Sequence, residues 1–253
     1  MGITGLVIAI GIYVFLKKTS MSHNTNQFIV GTAAGYAPFV SINPQGEYEG
    51  FDIDVAHALA KQMGKKLVIK DLGSMTALFM ALDQGTIDVI MWGLDITQDR
   101  LKKVVMVHYQ GGITDSYPLI FWKTIPREIR TIADMNNKIV CVEPASAQDT
   151  VLSKYTLINK LPTEKVDDAL LNIQYNKADA AFVEPAIAKK FKNKYPEIQI
   201  MNVPLAPEDH VQGVGIVIKQ NKSALINQLQ EAVKTLRSTN IITQLEQKWD
   251  ITS

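Results

Sequence analysis

The 253-residue chain is poor in the residues that most often announce chemistry. It has one cysteine, Cys141. No intrachain disulfide can form, and the apolar run Ile139-Val140-Cys141-Val142 reads as a core segment. Its four histidines, His23, His57, His108 and His210, are scattered, which argues against a metal site. Charge of one sign is missing too. Lys and Arg total 26 against 25 Asp and Glu, a net +1, so no electrostatic footprint for nucleic acid exists. The phosphate-loop, zinc-protease and nucleophile-elbow patterns do not occur.

No apolar run reaches the membrane-spanning length of about 20 residues. Gly2 to Leu16 comes nearest, with Lys17-Lys18 after it. That length suits a signal-peptide core or a short anchor. A signal peptide carries its basic residues before the apolar run, and no A-x-A site follows. The expectation is export, with residues 1–22 as a signal or anchor segment. A buried helix of the fold is the plainer alternative, weakened by the polar stretch Thr19 to Gln27.

What the chain does have is concentrated in MWGLDITQDR, Met91 to Arg100. The β-rich run Ile87 to Met91 ends at Trp92 and Gly93. Thr97 then stands where a helix N-cap belongs. Ligands of open α/β sheets bind at the carboxyl ends of strands. Glycine permits close backbone approach, and arginine's planar fork matches a carboxylate. Taken alone, the stretch reads equally well as a surface loop with a solvated arginine.

In chain order, strands are expected at Phe28 to Ala33, Leu67 to Lys70 and Ile87 to Met91. Helices between them run from Gly50 to Met63 and from Ser74 to Leu82. Asn43-Pro44-Gln45-Gly46 is a hairpin turn. A second set follows: strands at Pro118 to Trp122, Lys138 to Val142, Asp179 to Val183, Ile198 to Val203 and Val211 to Ile218. Its helices are Thr131 to Met135, Ser146 to Tyr155 and Thr163 to Tyr175, with a basic helix after Glu184-Pro185. Ser223 to Arg237 and Ile241 to Trp249 close the chain as helices. Alternating strands and helices predict mostly parallel sheets with crossover helices. Glycine-bearing segments near Gln110 to Thr114 and Asp209 to Gly213 look like crossings between two lobes.

Several separated blocks together resemble one family. They are GTAAGYAPF at Gly31 to Phe39, GEYEGFDIDVAHALA at Gly46 to Ala60, and ALDQGTIDVIMWGLDITQDR at Ala81 to Arg100. KIVCVEPASAQDT, ADAAFVEP, VGIVIK and the terminal LEQKW follow in the same order. The chain resembles the bacterial extracellular solute-binding proteins for polar amino acids, the receptors of ABC importers, and is most similar to the arginine-binding periplasmic ones. The resemblance runs from about Phe28 to Trp249. It implies an α/β, two-lobed periplasmic-binding-protein fold of type II, each lobe a mostly parallel sheet flanked by helices, joined by two hinge strands. Residues 28–112 with 212–253 would form lobe one, and 113–211 lobe two.

The resemblance also implies site residues. Arg100 would hold the ligand α-carboxylate, with backbone groups of Gly93 and Leu94 nearby. Asp95 stands where relatives place a hydroxyl residue, and with Glu184 would hold the α-ammonium. Ser146 and Ala147 occupy a turn at a helix N-terminus suited to a carboxylate. Tyr36 and Met75 would flank the ligand side chain, Trp92 would narrow the cleft, and Glu143 would face it. Ala33 departs from basic-selective relatives, many of which carry an acid there. Plainer readings stand beside these: Tyr36, Phe39 and Met75 as core, Glu143 as a strand-end surface charge, and Glu184 as a solvated helix-start carboxylate. The basic cluster Lys189, Lys190, Lys192 and Lys194 reads as a solvated face.

The implied function is a non-enzymatic receptor for a basic L-amino acid, arginine first, delivering it to a membrane permease. It would work without cofactor or metal, as a monomer, outside the cytoplasm. A cyclohexadienyl or arogenate dehydratase-like enzyme on the same fold, using Glu184 as an acid, is the first alternative. A tethered amino-acid sensor is the second.

Overall fold

The computed structural model describes residues 26–251. The expected signal or anchor segment lies outside the described residues. Among the described residues no helix is long and apolar enough to cross a membrane.

The first lobe opens with β1 (Gln27–Thr32) and a small hairpin of β2 (Ser41–Ile42) and β3 (Tyr48–Glu49). Asn43 turns the hairpin: its side-chain oxygen accepts the N–H groups of Gln45 at 3.0 Å and Glu47 at 2.9 Å. Helix α1 (Phe51–Gln62) buries Phe51, Val55, Ala56 and Leu59 on one face, and Asp52 with them. Then come β4 (Lys66–Asp71), α2 (Met75–Gln84), β5 (Val89–Ile90), α3 (Gln98–Leu101) and β6 (Val105–Thr114). Ser74 caps α2 by accepting the Ala77 N–H at 3.3 Å.

The second lobe follows with β7 (Ser116–Trp122), a 3-10 turn at Ile132–Met135, β8 (Ile139–Val142), α4 (Ala147–Leu152) and β9 (Asn159–Pro162). It continues through α5 (Val166–Gln174), β10 (Ala180–Phe182), α6 (Pro185–Lys194) and β11 (Ile198–Pro204). The chain then returns as β12 (Val211–Ile218), α7 (Ser223–Ser238) and α8 (Ile241–Lys248).

The two main sheets are built alike, in the orders β4-β1-β5-β12-β6 and β11-β7-β10-β8-β9. In the first, β1 is parallel to β4 and β5, and only β12 is reversed. In the second, β8 is parallel to β9 and β10, and only β7 is reversed. The reversed strand in each is the one by which the chain arrives from the other lobe. Strand β7 shows the two-residue period of a strand covered on both faces. Its Tyr117, Leu119 and Phe121 join one apolar cluster with the 3-10 turn and α4, while Ile120 and Trp122 join another with α5 and α6. Cys141 is fully buried there, as its neighbours in the sequence suggested.

Between the sheets, β6 and β12 continue as a pair, with Thr114 opposite Val211 and Ile113 opposite Gln212. A register shift follows at Gly213. Its φ is +76°, and an added Cβ would lie 2.4 Å from the Gln110 carbonyl oxygen, so only glycine fits.

Several elements differ from the sequence reading. The first half of β6 was not expected, nor was β9, a polar edge strand. The Thr163 N–H bonds the Val142 carbonyl at 3.0 Å. That bond extends the sheet pairing and delays α5 to Val166. The helix capped by Thr97 is a single turn.

Candidate functional site

The stretch from Trp92 to Arg100 lies at the carboxyl end of β5 and is fastened to β12. Ile96 N–H donates to Gly213 O at 2.8 Å, Gly215 N–H to Leu94 O at 2.9 Å, and Gln212 N–H to Ile96 O at 3.2 Å. The Thr97 hydroxyl accepts the Arg100 N–H at 3.2 Å and starts the helical turn. The Arg100 guanidinium then folds back, with Nη1 donating to the Asp95 carbonyl at 2.8 Å. Its Nη2 reaches across the cleft to the Ala145 carbonyl at 3.3 Å. Gly93 takes φ +58°, and a Cβ there would sit 2.9 Å from the Phe39 ring.

The opposite wall comes from the carboxyl ends of β8 and β10. Ser146 caps α4, its hydroxyl accepting the Asp149 N–H at 3.0 Å, and Ala147 begins the helix. Glu143 stands just beyond β8. Glu184 occupies the N-cap position of α6 but makes no capping bond. Its side chain instead accepts from Gln148 Nε2 at 2.5 Å.

Aromatic rings line the same space. Tyr36 lies 5.3 Å from Trp92, centroid to centroid, and 5.8 Å from Phe39. Phe39 packs against Phe51 and Gly93, which fits its reading as core. Tyr36 and Met75 are buried and also border the cleft, so the two readings of each are not exclusive.

One cavity, with about 230 Å³ of empty space, is bordered by all eleven residues inferred from the sequence: Tyr36, Met75, Trp92, Gly93, Leu94, Asp95, Arg100, Glu143, Ser146, Ala147 and Glu184. Gln148 completes the lining. A second compartment of about 300 Å³ continues past Tyr36, Glu143 and Glu184 toward Cys141 and Thr163.

The site's electrostatics are lopsided. Arg100 faces Asp95, Glu143 and Glu184. Burial, and then the charge of Asp95, holds the Glu184 carboxyl well above the usual carboxylate range. Burial pushes Glu143 up to about 8, against the pull of Arg100. Glu143 Oε1 and Trp92 Nε1 are buried without a protein hydrogen-bond partner. Among the described residues no cluster of three or more His, Cys, Asp or Glu could hold a metal ion.

Three residues beside the cavity were missed. The Tyr117 hydroxyl donates to Asp95 Oδ2, but its partner is 22 positions away and no local pattern marks it. Gln148 follows a recognised cap and was passed over as ordinary helix. Asp52 accepts the Gly93 N–H at 2.6 Å. Helical spacing puts it on one face with Val55, Ala56 and Leu59, a signal the sequence reading passed over.

Two mixed sheets with flanking helices, paired crossing strands and a charged cleft between lobes define a type II periplasmic-binding-protein fold. The chain belongs to the bacterial extracellular solute-binding proteins, family 3, whose sequence profile matches residues 28–252. It is 29% identical to the "Probable ABC transporter arginine-binding protein ArtJ" of Chlamydia trachomatis over 92% of this chain and 90% of that one. It is 25% identical to the "ABC transporter glutamine-binding protein GlnH" of Bacillus subtilis, over 92% of this chain and 85% of that one. Among solved structures, the P235GK mutant of ArgBP from T. maritima superimposes with a TM-score of 0.79. It is 27% identical, covering 90% of this chain and 96% of that one.

Proposed function

We propose that this protein is the extracytoplasmic receptor of an amino-acid ABC importer, that it binds a basic L-amino acid, arginine first, and that it passes it to a membrane permease. The observation that carries the reading is the charge imbalance of the cleft: one guanidinium against three carboxyl groups, all bordering one cavity. A neutral amino acid is a balanced zwitterion and would leave that imbalance enclosed. Enclosing unbalanced charge is costly. A cationic side chain reduces the imbalance by one charge.

In this reading Arg100 and the backbone at Gly93, Leu94, Ser146 and Ala147 receive the α-carboxylate. Asp95 and Glu184 receive the α-ammonium. Tyr36, Trp92 and Met75 enclose the side chain. A flat guanidinium stacked on an aromatic ring gains about 0.5–2 kcal/mol, which favours arginine over lysine. Glu143 neutralises its charge. Closure turns on the crossings at 112/113 and 211/212. Each cleft carboxyl is assigned to ligand charge, and none is left over as half of an acid–base pair, which supports a receptor over a dehydratase. Delivery to a permease places the folded part outside the cytoplasm, tethered or released according to the fate of residues 1–22.

A thermal-shift screen of the twenty amino acids on ligand-stripped protein tests the assignment. Arginine should stabilise most and lysine next. Glutamine or glutamate stabilising more than either would overturn it.

A further inference from the structure

Tyr117 is a lobe-two residue whose hydroxyl serves lobe one. It lies on β7 and is fully buried. Its backbone pairs with Val203 of β11, and its ring meets Phe182 of β10 edge-on at 5.9 Å. It belongs to the apolar cluster of Leu119, Phe121, Val140 and Val142. Close packing of that kind holds an aromatic ring in one orientation. The hydroxyl leaves the cluster and donates to Asp95 Oδ2.

Asp95 is fixed to lobe one by its backbone. It bridges to Val214 of β12, and its carbonyl accepts Arg100 Nη1 at 2.8 Å. Arg100 Nη2 goes to the Ala145 carbonyl. The guanidinium therefore orients the Asp95 backbone and not its carboxyl group. That group is oriented from the other lobe, by the phenol. Glu184, by contrast, is held within its own lobe by Gln148.

A buried phenol needs an acceptor, and that need alone would account for the bond. It would not place the acceptor at the ligand cavity, which Asp95 borders while only 5% exposed. Tyr117 is not part of the cavity's lining, so it acts through Asp95 and not by touching an amino acid. Burial, and then the charges of Glu184 and Asp95, hold the phenol well above its ordinary range. It therefore keeps its proton and remains a donor.

We propose that Tyr117 is the positioning residue for Asp95, its hydroxyl holding the carboxyl group in the orientation that receives the α-ammonium of the bound amino acid. The inference rests on the amino-acid reading of the site. It concerns the α-ammonium alone, so it holds whichever side chain is preferred. Without the phenol the Asp95 carboxyl could exchange among rotamers, and the incoming ammonium would have to order it. Ordering a side chain during binding weakens affinity.

The test is calorimetry on ligand-stripped protein with two compounds, L-arginine and 5-guanidinopentanoate, which is arginine without its α-amino group. Tyr117→Phe should weaken L-arginine about tenfold, the size expected for losing one hydrogen bond to a charged group. Affinity for 5-guanidinopentanoate should change by less than about twofold. Phenylalanine keeps the ring in its cluster, and urea unfolding checks that the fold is intact. In an Asp95→Ala background, Tyr117→Phe should weaken arginine no further. A merely structural role would weaken both compounds alike and would persist in Asp95→Ala. Either result overturns the proposal, as does an unchanged arginine Kd in Tyr117→Phe, and all three leave the receptor reading intact. If another amino acid proves to be the ligand, it and its des-amino analogue replace the two compounds in the same comparison. Failure of every amino acid to bind overturns both readings.

Discussion

Asp52 holds Gly93. Its Oδ2 accepts the glycine N–H at 2.6 Å, and its Oδ1 accepts the Tyr109 hydroxyl at 2.6 Å. Asp52 sits in the first turn of α1, Gly93 borders the cleft, and Tyr109 lies on the strand that leads into the crossing. One buried carboxyl group therefore ties the cleft backbone to the element through which the lobes connect. Burial raises it to about 7, against the lowering effect of both hydrogen bonds.

Removing it should cost stability and affinity together. Asp52→Ala leaves two buried donors without acceptors, at about 1–3 kcal/mol each. Asp52→Asn keeps one acceptor and should recover part of the loss. The pH dependence has a definite sign. A carboxyl whose folded pKa is raised binds its proton more tightly in the folded state, so its contribution to stability falls as pH rises from about 4 to about 7. Urea unfolding of wild type and Asp52→Asn should show the wild type losing ground across that window. A difference that stays constant with pH would count against the raised pKa.

That residue also marks where the sequence stopped being legible. Elements with local signatures could be read: Ser74 and Thr97 as caps, Asn43 as the hairpin turn, the apolar face of α1. The cleft residues were legible because blocks such as GLDITQDR carry a family resemblance that individual spacings do not. What escaped depends on long-range partners. Strand β9 is exposed, polar and paired on one side only, so no alternation betrays it. Tyr117 looks like any buried strand aromatic until Asp95 arrives from the other lobe. Asp52 differs, since its helical position alone could have flagged it.

Arg100 should dominate affinity. Its guanidinium is oriented by the Asp95 carbonyl and the Thr97-capped turn before any ligand arrives. Deleting one partner of a buried charge pair costs about 2–5 kcal/mol, roughly 30-fold to several thousand-fold in Kd. Arg100→Ala should therefore bind arginine far more weakly, with an unchanged urea midpoint. An unaltered Kd by calorimetry would remove Arg100 from the site.

The two lobes also share an external tie. Lys189 of lobe two donates to the Asp250 carboxylate at 2.8 Å and to its carbonyl at 3.1 Å. The pair is exposed, so its worth is at most about 1 kcal/mol. Lys189→Ala should therefore loosen arginine binding by about fivefold or less. The change should appear in the dissociation rate and should shrink at high salt. Stopped-flow dissociation at low and high ionic strength checks this. A variant whose loss persists undiminished at high salt would mean that Lys189 acts through something other than this ion pair.

Glu143 should decide between cationic and neutral side chains. It lines both compartments of the cleft, and its Oε1 is buried without a protein partner. Burial lifts it to about 8, so it is mainly protonated at pH 7. A guanidinium or ammonium arriving beside it would favour the ionised form; an amide side chain would not. Arginine must therefore displace the Glu143 proton at pH 6, while at pH 9 the carboxylate is already formed. The preference for arginine over glutamine should widen as pH rises through about 8, then flatten. Glu143→Gln removes the titrating group. It should weaken arginine by tenfold or more, about 1.4 kcal/mol, leave glutamine nearly unchanged, and erase the pH dependence of their ratio. Competition calorimetry of the two amino acids at pH 6, 7, 8 and 9 reads all three effects. A ratio that moves equally in wild type and Glu143→Gln would assign the discrimination to another group.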